Sequence, residues 1–239
     1  MRHLLLISSS RVYGSGYLEH CANELQERLE KVERVLFVPY ALADHDEYAG
    51  IVRSRLAELG LVVDSVHDAA DPVAAVAAAE AVFVGGGNTF RLVDALWRRG
   101  LIEPLRQRVA AGMPYVGSSA GTNVATPTLK TTNDMPIVQP PTFETLGLVK
   151  FQITPTYLDP DPGSRHMGET REERLRQFHE ENATPVVGLR EGAMLWVDGT
   201  RIELRGVSGA RVFRRGQAPL ELSPGARLDE LGLELRSKK

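Results

Sequence analysis

The 239-residue sequence predicts an α/β fold: a three-layer, mostly parallel sheet flanked by helices, with C-terminal antiparallel hairpins. Three observations carry this expectation. Short apolar runs alternate with longer stretches of helical spacing through the first two-thirds of the chain. The runs are continuous rather than alternating apolar and polar, so both faces of each strand should be covered. In the last third, apolar runs are separated by Gly-containing turns, the pattern of antiparallel hairpins.

Residues 4–7, Leu-Leu-Leu-Ile, read as a buried strand, and residues 17–29 follow with Leu18, Cys21, Leu25 and Leu29 at helical spacing. Residues 35–38 form the next strand, ended by Pro39, and residues 48–59 a helix with Ile51, Val52, Leu56 and Leu59 on one side. A strand at 62–66 leads to Asp71-Pro72, where a capping aspartate followed by a first-turn proline opens an Ala-rich helix. Residues 81–84 form a strand that runs into Gly85-Gly86-Gly87. Helices at 90–97 and 101–109 and a strand at 115–117 follow. Beyond about residue 125 prolines break the pattern, and helical spacing returns only over 170–179. Residues 186–189 read as an apolar run. Residues 194–197 and 201–204 flank Asp198-Gly199, and 212–213 and 220–222 flank a second Gly-containing turn. No internal repeat or low-complexity linker is present, so residues 1–239 are expected to form a single domain.

Hydrophobic residues make up 43% and charged residues 25%, an ordinary globular balance. A formal net charge of -3 without a long basic run gives nucleic acid or an anionic membrane no electrostatic foothold. Cys21 is the one cysteine, so no internal disulfide can form, and the apolar run near the N-terminus is too short for a signal peptide. A cytoplasmic location is expected.

The chemistry-bearing stretches lie at strand ends. Gly117-Ser118-Ser119-Ala120-Gly121 fits G-x-S-x-G, in which a sharp strand-to-helix turn lifts a serine above the sheet edge and backbone N–H groups can hold an oxyanion. "VGGGNTF", residues 84–90, is a second strand–glycine–helix turn whose N–H groups can face an anion. Both turns fall at carboxyl ends of strands, where open parallel sheets bind ligands. Asp134 in "TTNDMPIV" and Glu191 after residues 186–189 are candidate acidic groups, and Arg171 in "GETRE" is a candidate basic one.

"VGGGNTF", "GSSAGTN", "TTNDMPIV" and "GETRE", in that order, resemble peptidase E, the α-aspartyl dipeptidases, over most of the chain up to about Val197. The resemblance implies a fold similar to class I glutamine amidotransferase domains. It implies a homodimeric serine peptidase that removes an N-terminal aspartate from Asp-X dipeptides without metal or cofactor. Carried over by motif, Ser119 is the nucleophile. Gly87, Asn88 and Ala120 line the oxyanion side, Glu191 orients the catalytic histidine, Asp134 belongs to the site, and Arg171 pairs with the substrate's aspartate side chain. A guanidinium suits that last task because its fixed fork meets a carboxylate with two hydrogen bonds.

One position departs from the pattern. The family's histidine lies in a segment of the form Q-I-N-P-H-F/Y, and here "QITPTYLDP" places Thr156 at the histidine position and Thr154 at the asparagine. A threonine hydroxyl does not titrate near neutral pH and cannot act as general base. Of the six histidines, His166, on the loop between Thr156 and Arg171, is the replacement candidate. His20 reads as an exposed helix residue and His179 as a surface one. Two readings therefore stand: a hydrolase with a rearranged base, or a non-catalytic or impaired member that binds aspartyl peptides.

Overall fold

Successive side chains of a strand point to opposite faces, so a run such as His-Leu-Leu-Leu-Ile needs cover on both sides. The computed structural model, which describes residues 1–161, 163, 165 and 167–235, supplies it. Leu4 and Leu6 enter one core with Val38, Val84, Leu92 and Leu105, whereas Leu5 and Ile7 enter another with Phe37, Leu25, Val52 and Leu56. Each such side chain withdrawn from water contributes roughly 1.5–3 kcal/mol.

The first half runs β1 (His3–Ile7), α1 (Ala22–Arg28), β2 (Arg34–Val38), α2 (His45–Ala57), β3 (Val62–Ser65), α3 (Pro72–Ala78), β4 (Ala81–Val84), α4 (Thr89–Arg98), α5 (Ile102–Ala111), β5 (Tyr115–Ser118) and α6 (Ala120–Asn123). The second half runs β6 (Gln152–Thr154), α7 (Arg171–Glu181), β7 (Val186–Leu189), β8 (Ala193–Asp198), β9 (Arg201–Gly206), β10 (Ala210–Phe213) and β11 (Leu220–Leu222). The larger sheet has the order β3-β2-β4-β5-β1-β8-β9. Its first five members are parallel, β8 adds antiparallel to β1, and β9 pairs antiparallel with β8. This is the mostly parallel, helix-flanked sheet that the continuous apolar runs predict. The Asp71-Pro72 signal also forms as expected: the Asp71 carboxylate accepts from the Val73 and Ala74 N–H groups.

Three details differ from the expectation. The helix expected over 17–29 begins only at Glu19, as one 3-10 turn before α1, because Leu18 adopts φ 54 and turns the chain there. The two C-terminal hairpins separate. The β8–β9 hairpin joins the larger sheet, whereas β10 and β11 continue a smaller sheet of order β11-β10-β7-β6. β6, inside the proline-broken region, was not expected at all; it pairs parallel with β7. Its Ile153, with Val187 and Leu189 of β7, packs into the core that contains Leu4 and Leu6.

Candidate active site

The carboxyl ends of β1, β4 and β5 meet at one sheet edge, and that edge is packed through glycine. A Cβ on Gly121 would lie 2.0 Å from the Val84 carbonyl oxygen, and one on Gly86 would lie 3.0 Å from the Ser119 Cβ. The two glycine turns are therefore pressed against each other, and only absent side chains allow it. Gly87 has φ +136, and a Cβ there would meet the Ala41 carbonyl at 2.6 Å.

Ser119 sits at φ 52 and ψ −109, outside the ordinary regions for a residue with a side chain. Such strain persists only where the surroundings over-determine it. Here the Ser119 N–H donates to the Ile7 carbonyl at 3.0 Å, and its carbonyl accepts from the Asn123 N–H at 2.9 Å. Ser119 is the N-cap of α6, a position where serine usually spends its hydroxyl on a first-turn N–H. No such bond forms, so the hydroxyl is free of that duty. Ala120, the first residue of α6, has an N–H without an intrahelical acceptor. Among the described residues neither this N–H nor that of Gly87 is engaged by a backbone acceptor, whereas the Gly86 N–H is consumed by the Tyr48 hydroxyl at 2.8 Å.

Asn88 and Asp134 work on the start of α4. The Asn88 side chain accepts from the Arg91 N–H at 3.0 Å and donates to the Met135 carbonyl at 2.9 Å, and the Asp134 carboxylate accepts from the Thr89 N–H at 2.7 Å. These bonds lay the "TTNDMPIV" loop against the glycine turn. Arg171 is the first residue of α7, behind a capping box formed by Thr170 and Glu173. Burial draws its guanidinium below the usual arginine range, Arg174 adds to this, and Asp134 opposes it. A cation at a helix N-terminus is unfavourable, and among the described residues Arg171 forms no salt bridge.

Thr156 follows β6 and Glu191 follows β7, so both come from the smaller sheet. Thr156 adopts φ 50, rare for a β-branched residue. Its N–H donates to the Ser8 hydroxyl at 2.8 Å, and that hydroxyl donates to the Leu189 carbonyl at 2.9 Å. Its own hydroxyl turns back to the Pro155 carbonyl at 2.8 Å. Since Ser8 follows Ile7, which accepts the Ser119 N–H, Ser119 and Thr156 are both anchored to the end of β1. Glu191 occupies an exposed turn closed by the Ala193 N–H on the Arg190 carbonyl at 3.0 Å. Arg190 locks that turn: Nε and Nη2 reach the Asp159 carboxylate at 2.6 and 2.8 Å, and the guanidinium also pairs with Glu221.

Thus Ser119, Gly87, Ala120, Thr156 and Glu191 line the edge, and Asn88, Asp134 and Arg171 form a flank beside the start of α4. His166 lies outside the described residues. Two of the sequence readings change. His179 is buried, with Nδ1 3.2 Å from the Asn182 carbonyl. His20 is not an exposed helix residue: both ring nitrogens are buried and neither has a hydrogen-bond partner among the described residues. Burial holds its pKa below the usual histidine range, with Glu24 and Glu191 pulling upward. Ser8 and Arg190 carried no motif, although the "SSS" directly after the first strand marked a polar strand end. Elsewhere, Asp46, His67 and Asp68 bring potential metal-ligand atoms within 4.8 Å of one another near the end of β3. His67 Nε2 lies 3.0 Å from Asp46 and 3.2 Å from Asp68, and Arg53 pairs with Asp68 at 2.7 Å.

Comparison with known proteins identifies the family. The family model described as "Peptidase family S51" matches residues 4–205. "Peptidase E" of Streptomyces coelicolor is 59% identical over 236 residues, covering 99% of this chain and 97% of that protein. The "Probable alpha-aspartyl dipeptidase" of Drosophila melanogaster is 50% identical over 230 residues, covering 95% and 96%. The crystal structure of a peptidase from an acI-B1 Actinobacterium shares the fold, with a TM-score of 0.69 at 18% identity over 95% of this chain and 96% of its own. With the family model spanning most of the chain and relatives of this identity along nearly its whole length, the chain belongs to peptidase family S51.

Proposed function

We propose that this chain is a cytoplasmic, homodimeric serine dipeptidase that releases the N-terminal aspartate from Asp-X dipeptides. The observation that carries this reading is the strained Ser119, whose hydroxyl is left unused by its own helix while, among the described residues, the Gly87 and Ala120 N–H groups of the two packed glycine turns have no backbone acceptor. Ser119 attacks the scissile carbonyl, and the two N–H groups take the developing oxyanion, a role in which one donor contributes about 2.7–4 kcal/mol. Arg171 receives the substrate's aspartate carboxylate. Its position supports this: the guanidinium and the N-terminus of α7 are both electropositive, so an arriving carboxylate relieves their mutual repulsion. Asp134, whose carboxylate acts electrostatically on Arg171, restrains the glycine turn through the Thr89 N–H. Glu191 supplies the site's carboxylate toward a proton-accepting group. The name of the Drosophila relative points to the same substrate class.

Hydrolysis of Asp-Leu followed by release of free aspartate tests the reading. Ser119→Ala should lower kcat by a factor on the order of 10⁶, and Arg171→Met should lower kcat/KM by about 10²-fold, equivalent to a lost charge-assisted hydrogen-bond pair. Turnover that survives Ser119→Ala rules the mechanism out. Saturable binding of Asp-Leu without any turnover by the unaltered chain would instead establish the impaired, peptide-binding reading that Thr156 favours.

A further inference from the structure

Arg171 stands in Glu-Thr-Arg-Glu-Glu, residues 169–173, with three carboxylates within two residues of it in the chain. Opposite charges this near ordinarily pair, yet among the described residues Arg171 forms neither a salt bridge nor a side-chain hydrogen bond. Each flanking carboxylate has another holder. Glu169 accepts from the Gln177 amide at 2.6 Å and lies 3.8 Å from Arg174 Nε. Glu173 accepts from the Thr170 N–H at 2.6 Å and from the Thr170 hydroxyl at 2.9 Å, inside the capping box. Glu172 accepts from Arg211 Nη1 at 2.9 Å. Burial apart, the charges that act on the Arg171 guanidinium are those of Arg174 and Asp134.

The holders of Glu169 and Glu173 belong to α7 and its entry, so the helix satisfies those two carboxylates by itself. The holder of Glu172 does not. Arg211 lies 39 positions further along the chain, on β10, between β7 and β11 in the smaller sheet. In the strand register it stands opposite Gly188 on one side and Glu221 on the other. Its Nε donates to the Glu221 carboxylate at 3.1 Å, and Arg190 grips the same carboxylate. Its Nη1 also lies 3.7 Å from Asp159. The guanidinium is therefore fixed from the sheet, with Nη1 turned to Glu172. The two side chains of this pair are 27% and 30% exposed, so water screens their attraction only in part.

We propose that Arg211 is a specificity-determining positioning residue: by holding Glu172 it withholds the one flanking carboxylate that α7 does not satisfy itself, and so keeps Arg171 vacant for the aspartate side chain of the substrate. This rests on the dipeptidase reading above. Glu172 carries the same group as that side chain and is tethered next to Arg171. Released from Arg211, it competes for the guanidinium at a high effective concentration, and its charge repels an incoming carboxylate. Arg211 makes no contact with substrate in this role; it acts on Arg171 through Glu172.

The test uses the full chain and Asp-Leu. Arg211→Met should raise KM about 5-fold with kcat nearly unchanged, the upper range for a partly exposed ion pair, and Arg211→Lys should recover most of that loss. Adding Glu172→Gln to Arg211→Met should return KM to the unaltered value, and Glu172→Gln alone should leave KM unchanged. In an Arg171→Met background, Arg211→Met should have no further effect. Titration calorimetry of Asp-Leu against the Ser119→Ala chain should show a matching rise in Kd with Arg211→Met, so the effect is read whether or not the bound dipeptide is cleaved. KM and Kd unmoved by Arg211→Met would overturn the proposal. So would a shift that survives Arg171→Met or that Glu172→Gln does not cancel. A KM raised by Glu172→Gln alone would overturn it too, since the pair would then only brace α7, and this arm needs no Arg211 variant to fold. An unaltered chain that neither cleaves nor binds Asp-Leu would overturn the dipeptidase reading itself, and the proposal with it.

Discussion

At the scale of single residues, the edge is built from atoms that are missing. Gly121 faces the Val84 carbonyl so closely that Gly121→Ala cannot be absorbed by a rotamer change, because the obstructing atom is backbone. We expect this variant to lose more than about 3 kcal/mol of stability, read as a fall in the urea midpoint; an unchanged midpoint would mean the turns do not pack as described. Residues of this kind were legible in the sequence because glycine and serine clusters at strand ends have few other uses. Asp134, Glu191 and Arg171 could be picked out only through motif resemblance, since a lone charge in a sequence resembles any solvated one. Ser8 and the buried His20 could not be picked out. One is a hydroxyl bridging two chain-distant backbones, the other a ring whose burial is set by tertiary packing, and neither leaves a local signature.

At the scale of elements, the parallel core was readable from continuous apolar runs and from caps such as Asp71-Pro72, where local chemistry and tertiary burial agree. The smaller sheet was not readable. β6 is short, lies among prolines and gains its partner β7 only after the intervening α7, so no periodicity announces it. Two element-level predictions follow from how the loops are tied down. Asp134→Ala removes the carboxylate on the Thr89 N–H and should cost about 1 kcal/mol at the start of α4. Chemical denaturation would measure that loss, and hydrogen exchange at Thr89 should accelerate. Arg190 holds the Asp159 and Glu221 carboxyls below their usual range through direct hydrogen bonds. Lowered carboxyl pKa values contribute stability that is present above the ordinary carboxylate pKa and lost as pH falls through the lowered values. Arg190→Met should therefore flatten the fall in melting temperature on acidification; an identical acid profile would show that the pair contributes nothing to folding.

At the scale of the whole molecule, the two cores on either face of the larger sheet share strands, so neither can open alone without exposing the other. Cys21 reports on this. It is fully buried in the core of Leu5 and Phe37, and burial pushes its thiol up to about 12. Reaction with a disulfide reagent at neutral pH should be slow and should follow global unfolding as denaturant is raised; fast labelling of the native protein would show that α1 detaches independently. Among the described residues no helix is long and apolar enough to cross a membrane.

The bond between the Thr156 N–H and the Ser8 hydroxyl has one more implication. What grips position 156 is main chain: its amide on Ser8, and the next amide, of Tyr157, on the Leu189 carbonyl at 2.8 Å. No bond in that grip involves the side chain, whose hydroxyl only folds back on Pro155. The position is thus a socket whose frame is indifferent to its contents. Any residue with an amide hydrogen and tolerance for a left-handed backbone can be exchanged there without disturbing the serine elbow. A threonine can accordingly stand where the resemblance implies an imidazole while the rest of the edge keeps its shape.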